Sequence, residues 1–192
     1  MILPGSKSTI GDLAFLRAQG WDIDLIAHRR RGGAILGLCG GYQMLGRTVS
    51  DPDGVEGPPA SVEGLGLLDV ETVLTGDKIT AAASGIHLCT DTWITGYEIH
   101  LGRTAGPDCA RPVLKLDGQC LDGAASADGK VAGCYVHGLF GADQFRRAFL
   151  AGFGASSELA YEAQVERALD ALADHIEAHL DLDRMLGIAR GR

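Results

Sequence analysis

The sequence lacks the features that would assign it to a membrane or to a secreted, disulfide-linked class. No run approaches the ~18 consecutive apolar residues of a membrane-spanning helix. The cysteines number five, an odd count, and include no Cys-x-x-Cys pair, which argues against a secreted disulfide framework. The N-terminus has no basic stretch followed by a long apolar stretch, so no signal peptide is predicted. We therefore expect a protein of the reducing cytoplasm without a membrane partner.

Basic residues are also scarce. There are 17 Lys and Arg against 25 Asp and Glu, which gives a formal net charge of −8, and the one basic cluster covers residues 29–31. This balance argues against nucleic acid as a partner. Hydrophobic residues make up 46% and charged residues 22%, as in a folded globular protein, and the 192 residues suit one domain.

Glycine, by contrast, is abundant. The chain has 28 glycines, about twice the usual ~7% share, which indicates many tight turns and close backbone approaches. Helical patterns predict helices over 9–19, with Thr9 as a candidate N-cap, and over 143–153 and 157–180, with a further helix starting near Tyr42. Residues 21–31 fit a helical or a mixed segment. Apolar and alternating patterns predict strands over 1–3, 34–38, 65–75, 78–83, 92–100, 113–116 and 131–136. Loops are predicted over 51–59 and 107–112, and Asp-Gly turns in the middle of the chain indicate antiparallel strands.

Residues 34–46 form the most informative segment. A short apolar run, typical of a buried strand, leads directly to Cys39, and a helical pattern follows. This order is typical of a nucleophile elbow, whose tight turn needs small neighbours, here Gly37, Gly40 and Gly41. The helix N-terminus is expected to lower the pKa of the thiol, and the following backbone N–H groups can hold an oxyanion. The alternative is an unreactive buried cysteine in a glycine-rich turn.

A thiol nucleophile needs a base, and His137 is the best candidate among the six histidines. It follows the strand pattern over 131–136 and precedes Gly138, which places it at the edge where α/β folds collect active-site residues. It comes about 100 residues after Cys39, a workable order for a Cys–His pair. The alternative is a histidine with a purely structural role at the end of a strand.

Other motifs give weaker hypotheses. Residues 5–9 lack the glycine spacing of a phosphate-binding loop, although a Pro-Gly turn there can offer N–H groups to an oxyanion. His175 and His179 have the spacing of a zinc pair but no third ligand, and residues 51–54 only resemble the start of a calcium loop, so no metal site is predicted. His100 lies in a stretch of aromatic and charged residues that also fits an ordinary exposed strand.

Together these segments resemble a known family, the C-terminal glutamine amidotransferase domains of cobyric acid synthases from cobalamin biosynthesis. The resemblance extends over nearly the whole chain, in the family's order. The opening Pro-Gly-Ser-Lys with its Gly-Asp-Leu, and the long Gly-Leu-Leu-Asp-Val-Glu-Thr, are its most specific parts. The matching segments are Leu3-Pro4-Gly5-Ser6-Lys7-Ser8-Thr9-Ile10-Gly11-Asp12-Leu13, Leu38-Cys39-Gly40-Gly41-Tyr42-Gln43-Met44-Leu45-Gly46, Gly66-Leu67-Leu68-Asp69-Val70-Glu71-Thr72, Gly96-Tyr97-Glu98-Ile99-His100-Leu101-Gly102-Arg103-Thr104 and Tyr135-Val136-His137-Gly138-Leu139-Phe140.

The resemblance implies an α/β fold of the class I glutamine amidotransferase type. Its flavodoxin-like central sheet would be flanked by helices and joined by an additional antiparallel strand region and a C-terminal helical segment. Cys39 would attack the side-chain amide of L-glutamine, with His137 as general acid/base. The N–H groups of Gly5, Ser6 and Gly40 would hold the oxyanion.

The resemblance also implies the substrate contacts and the partners. Arg103 would bind the α-carboxylate of glutamine, with Tyr97 and Glu98 lining the same region. No cofactor is expected in this domain. In the whole enzyme, a separate synthetase domain would use ATP and Mg²⁺ to activate a corrinoid, adenosylcobyrinic acid a,c-diamide, for amidation at positions b, d, e and g.

Two departures from the pattern are visible. Many class I amidotransferases carry Glu two residues after the catalytic His, where this chain has Leu139, so a Cys–His dyad is expected and no residue is predicted to orient His137. The synthetase domain and the first strands of the amidotransferase domain are not recognised in the sequence. Residues 1–192 are therefore interpreted as one N-terminally truncated amidotransferase domain. The alternatives are the glutaminase component of a cell-wall lipid amidotransferase, a non-catalytic module that docks to a synthetase, and, less favoured, a thioesterase.

Overall fold

The computed structural model describes residues 1–191 as a mixed α/β protein. Its helices are α1 (Thr9–Ala18), α2 (Trp21–Arg30), α3 (Gly40–Leu45), α4 (Asp143–Ala151), α5 (Tyr161–His179) and α6 (Leu182–Ala189). Its strands are β1 (Ile2–Leu3), β2 (Ile35–Leu38), β3 (Thr48–Asp51), β4 (Ala60–Glu63), β5 (Glu71–Val73), β6 (Ile79–His87), β7 (Thr92–His100), β8 (Arg103–Ala105), β9 (Leu114–Leu116), β10 (Leu121–Asp122), β11 (Ala124–Ala125) and β12 (Val131–Cys134). These strands form three four-stranded sheets.

The central sheet has the strand order β1-β2-β12-β11. Strands β1, β2 and β12 run parallel, and β11 adds an antiparallel edge. The buried, mostly apolar side chains of β2 are typical of a strand covered on both faces. Helices α1, α2 and α3 pack against this sheet through Leu13, Leu25 and Leu45. This arrangement confirms the predicted central sheet flanked by helices.

The additional strand region forms two sheets. One, in the order β10-β9-β6-β7, is antiparallel throughout and contains the long β6–β7 hairpin. The other, in the order β4-β3-β5-β8, has two antiparallel pairs and one parallel pair, β3–β5, which was not predicted from the sequence. Strand β7 has the predicted bounds, and its last residue, His100, lies beside the candidate site.

Three local predictions are corrected by the structure. The strand predicted over 65–75 is reduced to β5, because the N–H groups of Leu65 and Leu67 bond to carbonyls at the end of α3. Thr9 is the first residue of α1 rather than its N-cap; Ser8 is the N-cap, and the Thr9 N–H donates to Glu56 at 2.5 Å. β12 ends at Cys134, so His137 lies in the following segment rather than at the strand end.

The C-terminal helical segment is confirmed, with α6 as an addition to the prediction. None of the residues of α5 or α6 is buried, and the apolar side chains of Val165, Leu169 and Leu172 are exposed. Among residues 1–191, no helix is long and apolar enough to cross a membrane.

Candidate active site

Cys39 occupies a strained turn between β2 and α3. Its backbone has φ 51° and ψ −113°, in a region that residues with a side chain rarely adopt. The glycines around it leave no room for a β-carbon: one on Gly37 would lie 2.7 Å from the Gly41 carbonyl oxygen, and one on Gly41 would meet the Leu3 carbonyl. The predicted strand–turn–helix arrangement is therefore present, and the strain at Cys39 is the backbone feature expected of a nucleophile elbow.

The thiol of Cys39 is buried, with 4% of the residue exposed. Its Sγ donates to the Ile99 carbonyl at 3.6 Å. Burial raises the pKa of the thiol, and the N–H of Gly40 offsets this only in part. The expectation of a lowered thiol pKa is therefore wrong: α3 has only six residues, and desolvation outweighs its N-terminus. The resting nucleophile is a protonated thiol.

His137 lies against the same site. Its backbone N–H donates to the Tyr97 carbonyl at 2.8 Å, and its carbonyl accepts from the Tyr97 N–H at 3.1 Å, which attaches it to β7. The Tyr97 ring stacks on the imidazole, with centroids 5.2 Å apart and planes 8° apart. Burial lowers the pKa of His137, which keeps the ring neutral and able to accept a proton near pH 7. Its buried Nε2 has no hydrogen-bond partner among the described residues.

Gly5 and Ser6 bring the loop between β1 and α1 against the nucleophile. A β-carbon on Gly5 would lie 2.6 Å from His137 Cε1 and 3.6 Å from Cys39 Cβ, so all three residues meet at one point. A β-carbon on Gly40 would lie 2.8 Å from the Ser6 nitrogen. The three residues predicted for the oxyanion hole are thus adjacent, and the N–H of Gly40 bonds to the thiol of Cys39.

A cavity of about 670 Å³ joins these groups. Its lining includes the nucleophile, the imidazole and the Gly5–Ser6 turn, together with the charged residues Lys7, Lys78 and Glu56. This composition suits a small zwitterion with a polar side chain. The cavity is lined by Gly5, Ser6, Lys7, Thr9, Cys39, Gln43, Val55, Glu56, Lys78, Ile99, His100, Leu101 and His137.

The three residues predicted to contact the substrate lie in different surroundings. Tyr97 touches His137, and the Oε1 of Glu98 lies 3.8 Å from His100 Nε2. Arg103 is an exposed residue of β8, opposite Val73. None of these three residues is among those that line the cavity, so their roles toward glutamine stay predictions.

Several cavity residues were assigned no role from the sequence. His100 is 8% exposed rather than on an open strand surface. Gln43 is buried; its Oε1 accepts from Thr9 Oγ1 at 3.0 Å, and its Nε2 donates to the Leu101 carbonyl at 2.9 Å. The polar and aromatic residues around His100 were the one sequence feature that pointed to a site here. Nothing in the nearby sequence showed that His100, at the end of β7, would be buried.

The described residues contain no group of three or more His, Cys, Asp and Glu side chains placed to hold a metal ion. His175 and His179 stack on each other on α5, at a centroid distance of 4.2 Å. His179 Nδ1 lies 2.8 Å from the His175 carbonyl oxygen, so the ring of His179 is engaged with its own helix.

Residues 1–145 match the family model of the CobB/CobQ-like glutamine amidotransferase domain. The chain belongs to this family. The match includes Cys39 and His137, both of which line the cavity. Leu139, at the position where many class I amidotransferases carry Glu, is buried in the core.

Curated relatives of this amidotransferase are cobyric acid synthases. The chain is 62% identical over 191 residues to one from Cereibacter sphaeroides, 60% over 191 residues to one from Bradyrhizobium diazoefficiens and 60% over 190 residues to one from a Caulobacter strain. These alignments cover 98–99% of this chain but only 39–40% of each relative. The chain therefore spans about 40% of the length of the relatives that it matches.

Solved structures support the fold. A crystal structure of a glutamine amidotransferase gives a TM-score of 0.52 at 19% identity, covering 80% of this chain and 78% of that one. The structure of PurLQS from Thermotoga maritima gives a TM-score of 0.50 at 16% identity, covering 69% of this chain and 68% of that one. At these identities the likeness concerns the fold, and it agrees with the predicted class I amidotransferase type.

Proposed function

We propose that this chain is the glutaminase domain of a cobyric acid synthase. It hydrolyses L-glutamine through a thioester on Cys39 and supplies ammonia for ATP-dependent amidation of the b, d, e and g carboxylates of adenosylcobyrinic acid a,c-diamide. The observation that carries the proposal is the identity of about 60% to cobyric acid synthases along almost the whole chain. The geometry that supports the glutaminase step is the meeting of Cys39, His137 and Gly5 in one cavity.

The first half of the reaction uses the protonation states of the resting site. The thiol of Cys39 is protonated and the imidazole of His137 is neutral, so the proton moves from sulfur to nitrogen as sulfur attacks the amide carbon. The carbonyl oxygen takes the negative charge, and the N–H groups of Gly40 and of the Gly5–Ser6 turn stabilise it. The imidazolium then gives its proton to the leaving nitrogen, the C–N bond breaks, and ammonia and a γ-glutamyl thioester remain.

The second half returns the enzyme to its resting state. Water attacks the thioester carbon while His137 takes one of its protons, and a second oxyanion forms in the same position. When the C–S bond breaks, the imidazolium returns the proton to sulfur, and glutamate leaves. The nucleophile and the base are both protein side chains, so we infer that this domain needs no cofactor of its own.

The remaining parts of the proposal concern the rest of the enzyme. ATP and Mg²⁺ belong to a synthetase domain that binds the corrinoid and receives the ammonia. The cavity's charged residues Lys7, Lys78 and Glu56 face the glutamine backbone in this proposal, with Arg103 as a further candidate for the α-carboxylate. We place the reaction in the cytoplasm, where the thiol of Cys39 stays reduced.

Glutamate release and selective labelling test the glutaminase activity. We expect Cys39→Ala to abolish glutamate release, because no other cysteine is among the residues that line the cavity. A glutamine analogue that carries an electrophilic diazoketone should label Cys39 alone, as read by peptide mass mapping. Cys89→Ala is the matched control: Cys89 is exposed and lies outside this cavity, so this variant should keep full turnover.

Other results would favour the alternatives. Label spread over the exposed cysteines, or a folded chain that binds a synthetase but releases no glutamate, would contradict the glutaminase and favour a docking module. Turnover of thioesters but not of glutamine would favour a thioesterase. Glutaminase activity that supports amidation of a cell-wall lipid precursor, and not of the corrinoid, would reassign the synthetase partner.

A further inference from the structure

Helix α5 has an apolar face that the described residues leave largely uncovered. The face consists of Val165, Leu169, Leu172 and Ile176, which follow one another at intervals of four, three and four positions. This spacing places the four side chains along one side of the helix, over a length of about 16 Å. Val165 is 38% exposed, and Leu169 and Leu172 are each 53% exposed. A continuous apolar face of this kind at the surface indicates a docking site.

The exposed apolar surface continues beyond the end of α5. Leu180 is 48% exposed, and in α6 the exposed fractions of Met185, Leu186 and Ile188 are 52%, 50% and 69%. No residue of either helix is buried. A partner that covers α5 and α6 would therefore remove several large apolar side chains from water, and this burial is the main driving force for most protein association.

The first turn of α5 is fixed to the amidotransferase domain. Arg146 is 7% exposed, and it donates from Nε to Ser157 Oγ at 3.2 Å and from Nη1 to the Phe140 carbonyl at 2.5 Å. The Tyr161 N–H donates to Asp143 Oδ1 at 3.2 Å. These bonds fix where α5 begins, although none of its 19 residues is buried. The helix is thus held at its start, and its apolar face is available to a partner.

The likeness to cobyric acid synthases extends over α5 and α6. The amidotransferase family model ends at residue 145, before α5 begins. The alignments with the synthases of Cereibacter sphaeroides and Bradyrhizobium diazoefficiens cover 99% of this chain but only 40% and 39% of the relatives, so more than half of each synthase lies outside the match. The two helices therefore belong to the part shared with these synthases, and the unmatched part of the synthase is the partner that accompanies them.

The charge of α5 indicates what kind of surface this partner presents. The helix carries five acidic residues and one Arg, and Glu166, Asp170 and Glu177 lie along one border of the apolar face. A second copy of this chain would bring the same acidic border and its own net charge of −8 against the helix. An anionic membrane surface would repel the same border, since membrane-surface helices are rich in Lys and Arg. A complementary partner has an apolar groove bordered by basic side chains.

We propose that the apolar face of α5 docks into an apolar groove, bordered by basic side chains, on the part of the cobyric acid synthase that lies outside the matched region. The identity of this partner rests on the proposed function, whereas the exposed face of the helix does not. Because the start of α5 is bonded to Asp143 of α4, docking at α5 fixes the amidotransferase domain relative to the part of the enzyme that consumes the ammonia.

Hydrogen–deuterium exchange tests the proposal by comparing the intact synthase with the isolated chain. The intact protein is the cobyric acid synthase of Cereibacter sphaeroides, with this chain in place of the residues that it matches at 62% identity. We expect the amides of α5 to exchange at least about tenfold more slowly in the intact synthase than in the isolated chain, because a docked helix opens less often. Equal exchange in the two proteins would overturn the proposal.

Leu169→Lys and Ala178→Lys distinguish the apolar face from the rest of α5. Leu169 belongs to the face, whereas Ala178 is exposed and lies two positions after Ile176, on the opposite side of the helix. In the intact synthase Leu169→Lys should abolish the protection of α5, and Ala178→Lys should keep it. Both variants should keep the Tm and the glutamate release of the isolated chain, since neither side chain is buried. Loss of protection in both variants would contradict the assignment to the apolar face.

Measurements on the isolated chain decide against the other occupants. Slow exchange of α5 in the isolated chain would show that the face is already covered, and the proposal would fail. Weaker self-association of Leu169→Lys than of the wild type, measured by sedimentation velocity, would assign the face to a second copy. Binding of the wild type, but not of Leu169→Lys, to phosphatidylglycerol vesicles would assign it to a membrane surface. Protection of α5 in an intact synthase that releases no glutamate would support docking and contradict only the proposed function.

Discussion

At the scale of single residues, Asp122 carries the clearest prediction for stability. Its carboxylate is 7% exposed and accepts from the Tyr135 N–H at 2.9 Å. Burial raises the pKa of this group from 3.8 to about 6, although backbone N–H groups oppose the shift. Between these two pH values the folded protein holds a proton that the unfolded chain releases, so the stability due to this group falls as the pH rises through the window.

Asp122→Asn removes the buried charge and keeps an oxygen acceptor for the Tyr135 N–H. We expect the variant to be more stable than the wild type at pH 8, by on the order of 1–3 kcal/mol, and this advantage should shrink as the pH falls from about 6 to about 4. Urea unfolding at a series of pH values measures both effects. A stability difference that is independent of pH would contradict this account.

Asp128 provides the matched control with the opposite sign. Its carboxylate is exposed and accepts from the Ser126 hydroxyl at 2.8 Å, and this bond is the main reason why its pKa is lowered to about 2. Its contribution is therefore present above pH 3.8 and is lost as the pH falls towards 2. Asp128→Asn should give no gain in stability at pH 8.

Nearby sequence was enough to predict some residues of the site, whereas others depend on parts of the chain that are distant in sequence. Cys39 was found from the sequence, because a strained turn requires glycine neighbours within a few positions, and the structure has that turn. His100 was not given a role, because its burial depends on Tyr135, a residue distant in sequence. The raised pKa of the Cys39 thiol was also missed, since it depends on how much of the fold covers the sulfur.

At the scale of elements, the sequence pattern was most informative for β7. The alternation over residues 92–100 gave β7 with its observed bounds, because β6 pairs with it along its full length. The segment 65–75 has the same apolar character but forms a strand only at β5, since its first residues bond to the end of α3 instead of to a strand. Such long-range competition leaves no local pattern.

Helix α5 leads to a prediction about how much the C-terminal segment contributes to thermal stability. None of its residues is buried, so it adds little to the core. The segment before it is attached: Arg146 Nε donates to Ser157 Oγ at 3.2 Å, and the Tyr161 N–H donates to Asp143 Oδ1 at 3.2 Å. A chain that ends after Tyr161 keeps these bonds, and we expect its Tm to fall by no more than about 3 °C, with glutaminase activity unchanged.

A deeper truncation is the control for this prediction. A chain that ends after residue 142 also loses α4, whose Phe145 is 1% exposed and packs in the core cluster that contains Ile94 and Leu139. Removing this side chain should unfold the protein or lower its Tm by well over 10 °C, since burial of one Phe is worth several kcal/mol. Thermal denaturation followed by circular dichroism compares the two chains. A large fall in Tm for the chain that ends after Tyr161 would show that α5 packs on the rest of the protein.

At the scale of the whole molecule, the site forms where separate parts of the fold meet. The central sheet supplies the turn at Cys39 after β2 and the loop after β1, and the antiparallel sheet supplies the end of β7. His137 joins them, because its backbone pairs with Tyr97 across the gap between the two sheets. The fold class was predictable from the sequence, but this meeting of sheets depends on tertiary packing.

The edge of the central sheet at β1 exposes apolar surface, which leads to a prediction about association. β1 is an edge strand, and a cavity of about 500 Å³ beside it is lined largely by apolar side chains, among them Ile2, Phe15 and Trp21. An exposed sheet edge beside apolar side chains favours association with another chain. We expect this chain to self-associate at high concentration and Trp21→Lys to weaken that association, as measured by sedimentation velocity over a concentration series.

The second tryptophan of the chain makes the comparison specific. Trp93 is exposed to a similar extent, 46% against 51% for Trp21, but lies on β7 and does not line this cavity. Trp93→Lys removes the same side chain from the surface and adds the same charge, so it should leave the self-association of the wild type unchanged. Equal effects of the two substitutions would assign the association to charge or to general apolar exposure. A monomer at all concentrations would contradict this prediction.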